Sequence, residues 1–193
     1  HKPFPTGRAA QGGIVLMQKL RDQGVTADNV ESIELNAPPI IHRLVGRPIQ
    51  RDMAVNYARL CFQFSGAIAL QTGQVGLQDF SDSRLRDPGV FALGQRITVI
   101  DDGGPDPAAF TPQTAIARLK DGREVRAEIT ELYGSPSDPM SRDAHLQKFR
   151  DCIAFGFGQE RPGLIDQLIT LTDQLEEVRD ASVLSRLAAG LEA

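Results

Sequence analysis

The sequence of 193 residues has no tryptophan, only two cysteines and only three histidines, which excludes several kinds of site. Cys61 and Cys152 lie far apart in apolar helical segments, so we predict two buried thiols and no disulfide framework. His1, His42 and His145 have neither the H-x-x-x-H nor the H-E-x-x-H spacing of zinc and iron ligands. We therefore expect no metal and no cofactor.

Long apolar runs and a strong charge of one sign are also lacking. No stretch approaches the roughly 18 apolar residues of a membrane span, and no signal-type hydrophobic segment is found near the N-terminus. The 21 lysines and arginines stand against 25 aspartates and glutamates, with both signs interspersed. These features predict a soluble, cytoplasmic protein that binds neither nucleic acid nor membrane, while a local cationic pocket remains compatible with them.

The sequence contains none of the G-x-S-x-G, P-loop or G-x-G-x-x-G motifs. Any chemistry must therefore use a few dispersed side chains.

What the sequence does contain is apolar periodicity that predicts two long helices and two strands before residue 102. The helices are expected over about residues 8–23 and 56–72. The apolar stripe of the second helix comprises Leu60, Phe64, Ala67 and Leu70. VESIELNAPP and RITVID alternate as half-buried strands do.

The segment TAIARLKDGREVRAEIT predicts a β-hairpin. Asp121 and Gly122 form its two-residue loop, because glycine accepts the positive φ that a type I′ turn requires. In that register Ile116 faces Ala127. The resulting fold class is α+β over residues 1–137, with a four-stranded, mainly antiparallel sheet covered on one side by two long helices.

Strand patterns stop after Tyr133, and three helices are predicted to complete the chain over residues 138–193. Ser141 caps the first, which runs to about Phe155, and Pro162 occupies the first turn of the second. The second helix has an apolar stripe of Leu164, Leu168, Leu171 and Leu175. The last helix has a stripe of Leu184, Leu187, Ala188 and Leu191.

Short motifs follow one another along the chain in a fixed order: KPFPTGR, NYARLCFQFSGAIALQTGQV, the DP pair before QRITVIDD, the DGR hairpin, and GSPSDPMS before a helix containing KF. This order resembles the C-terminal half of the MmgE/PrpD family over nearly the whole chain. The family includes 2-methylcitrate dehydratase, cis-aconitate decarboxylase and iminodisuccinate epimerase.

The resemblance implies a protein more than twice as long, with a larger helical domain formed by the N-terminal half and by the returning C-terminal helices. Residues 138–193 then belong to that helical domain. Lys2 stands where the family chain enters the small domain, so we expect a fragment that begins at a domain boundary. The leucine stripes should be covered by the N-terminal half of the same protein or by a second copy in a homodimer.

The resemblance also implies a substrate site. In the family, a cleft between the domains receives a small di- or tricarboxylate, and the lysine of the K-x-F/Y-P motif, here Lys2, lines it. Its ammonium can stabilise the charge that develops when a neighbouring C–H proton is removed. Arg8 can bind a second carboxylate, and Gln11 resembles the glutamine of an H-A-Q run. Solvated surface cations are the alternative for Lys2 and Arg8.

Several positions depart from the family patterns; for example, Ala10 and Gln11 stand where many members have Thr-His, and the histidine of the H-A-Q run is missing. Gly7 stands where decarboxylase-type members have a histidine, and Phe64 replaces the phenol of an S-F-Q-Y motif. Gln63 and Ser65 flank Phe64 and can face the cleft with it; the alternative is a surface amide and a hydroxyl bonded to a helix carbonyl.

The resulting functional hypothesis is the C-terminal part of a cofactor-independent lyase or isomerase acting on a small polycarboxylate. Proton abstraction next to a carboxylate is expected, with the principal base supplied by the N-terminal half. A non-catalytic carboxylate-binding or assembly module is the alternative. We expect this chain alone to be inactive.

Overall fold

The computed structural model describes residues 1–190, and these fall into two compact units, His1–Ser141 and the residues from Arg142 to the end of the described range. The first unit contains all four strands of the described residues: β1 Val30–Ala37, β2 Ile97–Asp101, β3 Gln113–Leu119 and β4 Glu124–Ile129. Its α-helices are α1 Arg8–Asp22, α2 Pro39–Val45, α3 Val55–Ala58, α4 Phe62–Thr72, α5 Asp82–Leu85 and α6 Pro88–Gly94. A 3-10 helix, Leu77–Phe80, precedes α5.

The four strands form an open mixed sheet in the order β2-β1-β3-β4. The β1 and β2 pair is parallel, whereas β3 runs antiparallel to both β1 and β4. The predicted α+β class with a mainly antiparallel sheet is confirmed.

One face of the sheet is apolar because the strands alternate in register. Ile33 pairs with Ile97 on β2 and with Ala117 on β3, and all three side chains are buried. Helices α1 and α4 pack on each other and on this sheet. Gly13 of α1 permits the close approach, since a Cβ atom there would lie 2.3 Å from the ring of Phe62.

The predicted helix over residues 56–72 is wrong in one respect, because it is two helices, α3 and α4. Cys61 separates them with an extended backbone (φ −103°, ψ 104°). The carbonyl of Arg59 accepts a hydrogen bond from the backbone N–H of Gly7, 3.2 Å away, instead of a bond from the next helical turn. Leu60, predicted in the apolar stripe, is 37% exposed at this break, whereas the other three stripe residues are buried.

The predicted hairpin register is wrong by one residue. Ala115 faces Ala127 and Ile116 faces Arg126, so Ile116 does not face Ala127. The loop has three residues, 120–122, closed by a hydrogen bond from Leu119 N–H to the carbonyl of Arg123 at 2.8 Å. This register places the alanines of β3 in the core, and a shift of one residue would turn its arginine inward.

The second unit is helical over its described part, with α7 Arg142–Phe157, α8 Pro162–Asp173 and α9 Ser182–Ala188. Pro162 occupies the first turn of α8 as predicted, and Ser141 directly precedes α7. Leu168 and Leu187 are buried, but Leu175 lies in a 3-10 turn and is 49% exposed. Leu191 lies outside the described residues.

Cysteine burial was predicted correctly for only one of the two thiols. Cys61 is buried in the first unit, whereas Cys152 on α7 is exposed.

No helix within residues 1–190 combines the length and apolarity needed to cross a membrane.

Candidate functional site

Residues 1–8, here called the cationic loop, comprise the segment before α1 and the first residue of that helix, and they contain Lys2 and Arg8. The buried side chain of Gln11, one turn into α1, holds this loop in place through hydrogen bonds. Its Oε1 accepts a hydrogen bond from Phe4 N–H, and its Nε2 donates to the carbonyl of Phe4, each at 3.2 Å. Nε2 also donates to Oγ1 of Thr6 at 2.7 Å. The loop conformation is therefore fixed by one buried carboxamide.

Two further contacts anchor the cationic loop to the rest of the first unit. The backbone nitrogen of His1 donates to the carbonyl of Gly134 at 2.6 Å. At the other end, Gly7 N–H donates to the carbonyl of Arg59. The loop thus lies between the segment that follows β4 and the break between α3 and α4.

Lys2 and Arg8 are both exposed. The guanidinium carbon of Arg8 lies 5.1 Å from the centroid of the Phe110 ring, and no ion pair among the described residues involves Arg8. Gln113 is buried beside this pair and donates from Nε2 to the carbonyl of Phe110 at 2.7 Å. Stacking on one face leaves the in-plane N–H donors of the guanidinium able to bind an anion.

A cleft of about 80 Å³ opens beside the start of α1. Its lining includes Arg8 and Gln11 together with Tyr133 and Ser135 from the segment after β4, and no aspartate or glutamate within residues 1–190 lines it. The N-terminus of α1 has no acidic residue in its first turn either. The local charge therefore favours an anion.

Gln63, Phe64 and Ser65 do not line this cleft. The Gln63 carboxamide accepts from Ile49 N–H and donates to the carbonyl of Ile97, both at 2.6 Å. Phe64 is 1% exposed and packs on Phe80, with ring centroids 5.8 Å apart. The Ser65 hydroxyl is buried, 3.4 Å from the helix carbonyls of Cys61 and Phe62. Within the first unit, these contacts of all three side chains are therefore internal.

Burial raises the pKa of the Cys61 thiol to about 11, so this cysteine is a poor nucleophile at neutral pH.

Tyr133 was not among the predicted site residues, although it lines the cleft with Arg8 and Gln11. No sequence spacing connects it to the cationic loop, because the proximity depends on where the chain leaves β4.

These features place the first unit in the class of α+β domains that fix a basic loop beside a small cleft. Comparison with known proteins makes the class specific. The model of the MmgE/PrpD C-terminal domain matches residues 4–171. The chain therefore belongs to the MmgE/PrpD family, as its motifs predicted.

Two relatives are similar to this chain. The cis-aconitate decarboxylase of Mus musculus is 27% identical over 165 residues, which are 85% of this chain and 32% of the relative. The mitochondrial 2-methylcitrate dehydratase of Yarrowia lipolytica is 26% identical over 101 residues, 51% of this chain and 19% of the relative. The chain thus spans about a third or less of the relatives that it matches.

Proposed function

We propose that this chain is the C-terminal part of a cofactor-independent lyase or isomerase acting on a small di- or tricarboxylate. The observation that carries this proposal is the cationic loop: Lys2 and Arg8 are presented on a backbone that the buried Gln11 fixes by hydrogen bonds to Phe4 and Thr6. Family membership supports the chemical class, since the two similar relatives are named for dehydration and decarboxylation of tricarboxylic acids.

In the proposed mechanism, a base removes a proton from the carbon next to a carboxylate. The negative charge that develops on the carboxylate is stabilised by the ammonium of Lys2. Arg8 binds a second carboxylate and thereby orients the acid. Gln11 is a positioning residue, because its carboxamide is committed to the loop backbone. Gln63, Phe64 and Ser65 make no direct substrate contact in this mechanism, because their polar or aromatic groups contact other parts of the core.

The base and the opposite wall of the cleft are proposed to come from the N-terminal half of the same protein. The length of the Mus musculus relative supports this, since the residues that match this chain are only 32% of that protein. Residues 138–193 are proposed to belong to the helical domain of the whole protein. Assembly as a homodimer in the cytoplasm is part of the same hypothesis.

A non-catalytic carboxylate-binding module is the second candidate. Two observations favour it: Gly7 stands at the position of a histidine in decarboxylase-type members, and the ring of Phe64 is buried and has no hydroxyl group to donate a proton. Both candidates bind a polycarboxylate, but only the first exchanges a substrate proton with water.

Proton exchange in deuterated water separates the two candidates. The full-length protein should be incubated with citrate, 2-methylcitrate and cis-aconitate, and deuterium incorporation or product formation followed by NMR. Turnover by the full-length protein and none by the 193-residue chain is the expected result. Turnover by this chain alone would contradict the proposal that its base lies elsewhere. Binding with no turnover of any acid by the full-length protein would favour the module.

Lys2→Met tests the assigned role within the active protein. Loss of charge stabilisation in the transition state should lower kcat/KM by roughly 10²-fold, or about 2.7 kcal/mol. Lys120→Met is the matched control, because Lys120 is an exposed lysine in the hairpin loop of the same unit. An unchanged kcat/KM for Lys2→Met would show that Lys2 is a solvated surface residue with no part in catalysis.

A further inference from the structure

We propose that Tyr133 is a substrate-binding residue that, together with Arg8, holds one carboxylate of the acid in the cleft beside the start of α1. The proposal rests on the proposed function for the identity of the ligand. It adds a residue from the segment after β4 to a site otherwise built from the cationic loop.

The hydroxyl of Tyr133 has an unused hydrogen-bonding capacity. Tyr133 is half-buried and lines the cleft, and its hydroxyl makes no hydrogen bond with any residue in the described range 1–190. The other tyrosine differs, because the hydroxyl of Tyr57 donates to the carbonyl of Pro48 at 2.7 Å. A partly buried phenol usually finds an acceptor, so an acceptor brought by a ligand suits Tyr133.

Arg8 supplies the charge on the same cleft. Its guanidinium is held over the ring of Phe110, and Phe110 is in turn held through its carbonyl by the buried Gln113. No carboxylate of the described residues neutralises Arg8, and none lines the cleft. A guanidinium and a phenol both donate hydrogen bonds, which is the donor set that a carboxylate needs.

The size of the cleft limits what it can hold. About 80 Å³ accommodates a few water-sized groups, since a single water needs about 10–15 Å³ of such space. One carboxylate fits, whereas the rest of a di- or tricarboxylate must extend out of the cleft, which is also lined by His1, the neighbour of Lys2 in the sequence. The cleft is therefore a subsite for one end of the acid.

Steady-state kinetics of the full-length protein on an acid that it turns over test this subsite. A hydrogen bond to a charged group is lost in Tyr133→Phe, so KM should rise roughly tenfold or more while kcat stays within about twofold. Tyr57→Phe is the matched control, since it removes one hydroxyl from the same unit outside the cleft, and KM should not change. An unchanged KM for Tyr133→Phe would overturn the proposal.

A shortened substrate distinguishes binding from a structural effect. For an analogue that lacks the carboxylate bound in the cleft, Tyr133→Phe and wild type should have the same KM. A similar rise in KM for every analogue, with one carboxylate removed from each in turn, would show a general distortion of the site and would overturn the assignment.

Direct binding keeps the subsite testable if the proposed function fails. When the full-length protein turns over no acid, citrate binding to that protein is measured by calorimetry. Weakening of citrate binding by about tenfold in both Tyr133→Phe and Arg8→Met would support the subsite in a non-catalytic protein. Absence of citrate binding to wild type, or equal affinities for wild type and Tyr133→Phe, would overturn it.

Discussion

The carboxamide of Gln11 pairs with both backbone hydrogen-bonding groups of Phe4, accepting from its N–H and donating to its carbonyl, each at 3.2 Å. The two residues are seven positions apart, so the first turns of α1 fold back on the loop that precedes the helix. Phe4 is itself buried in the core. One side chain thus couples the packing of the domain to the placement of Lys2 and Arg8.

Gln11→Met should destabilise the first unit by about 1–3 kcal/mol. Methionine has a similar volume, but it leaves the buried N–H and carbonyl of Phe4 without partners. Urea unfolding measures the change, and hydrogen exchange at Phe4 should show the largest loss of protection. Gln23→Met is the control, because Gln23 is exposed and makes a single 3.3 Å hydrogen bond to the carbonyl of Arg126. Equal stabilities of the two variants would contradict the assigned role of Gln11.

Periodicity predicted which segments form helices and strands, but not where distant contacts interrupt them. The break at Cys61 depends on Gly7 N–H, which bonds to the carbonyl of Arg59 from a loop 52 residues earlier in the chain. No local pattern in NYARLCFQF indicates that Gly7 is the hydrogen-bond partner of Arg59. The hairpin error has a similar origin, because the DG pair suits both two-residue and three-residue loops, and burial of one face selects between them.

The candidate site was predictable where a motif describes it and not where only the fold does. Lys2 and Arg8 follow from KPFPTGR, and Gln11 follows from its resemblance to the glutamine of the family's H-A-Q run. Arg8 and Gln11 line one cleft. Tyr133 belongs to a different segment, and its place beside Arg8 results from the path of the chain after β4. Gln63 and Ser65 were chosen because they flank Phe64 in the sequence, yet their hydrogen bonds are internal.

The two cysteines should react very differently with iodoacetamide in the native protein. Cys152 is exposed, whereas Cys61 is buried and has its pKa raised to about 11 by that burial. At pH 8, mass spectrometry should find modification at Cys152 and almost none at Cys61. Cys152→Ser should abolish native labelling, and denaturant should expose Cys61. Comparable native labelling of both thiols would contradict the structure around Cys61.

Asp87 should stabilise α6 in a pH-dependent way. Its carboxylate caps the helix by accepting hydrogen bonds from Gly89 N–H and Val90 N–H, and it pairs with Arg84 at 2.6 Å. Burial by itself would raise the pKa of Asp87, but hydrogen bonds from Val90, Gly89 and Arg84 outweigh it and lower the pKa below the ordinary 3.8. The folded protein therefore binds the proton less tightly than the unfolded chain does.

Asp87→Ala should cost about 0.5–2 kcal/mol in the free energy of unfolding at pH 7. Because the native pKa is lowered, the charge-dependent part of this stabilisation is complete above pH 3.8 and is lost as the pH falls through the native pKa. Urea unfolding of wild type and Asp87→Ala is measured between pH 7 and pH 3. The difference between their free energies of unfolding should become smaller at the acid end of this range. Asp22→Ala is the control, as Asp22 is exposed at the end of α1. A difference in the free energy of unfolding that becomes larger below pH 3.8 would contradict the assignment of the Asp87 carboxylate as a charged helix cap.

Gly122 and Gly156 provide a test in which one kind of substitution should have opposite effects. A Cβ atom would meet no atom within 4 Å at either position, so steric crowding is absent in both. Gly122 has a φ of +86° in the hairpin loop, whereas Gly156 lies within α7 and has no positive φ. Gly122→Ala should therefore lose about 1–2 kcal/mol through left-handed backbone strain. Gly156→Ala should gain up to about 1 kcal/mol through helix propensity.

Because these glycines lie in different units, hydrogen exchange should be followed separately in each. Amides of β3 and β4 should lose protection in Gly122→Ala, and amides of α7 should gain it in Gly156→Ala. Gly122→Asn is a further control, since asparagine tolerates the left-handed region better than alanine does and should recover part of the lost protection. Equal hairpin protection in wild type, Gly122→Ala and Gly122→Asn would show that the three-residue loop does not depend on a left-handed residue at this position.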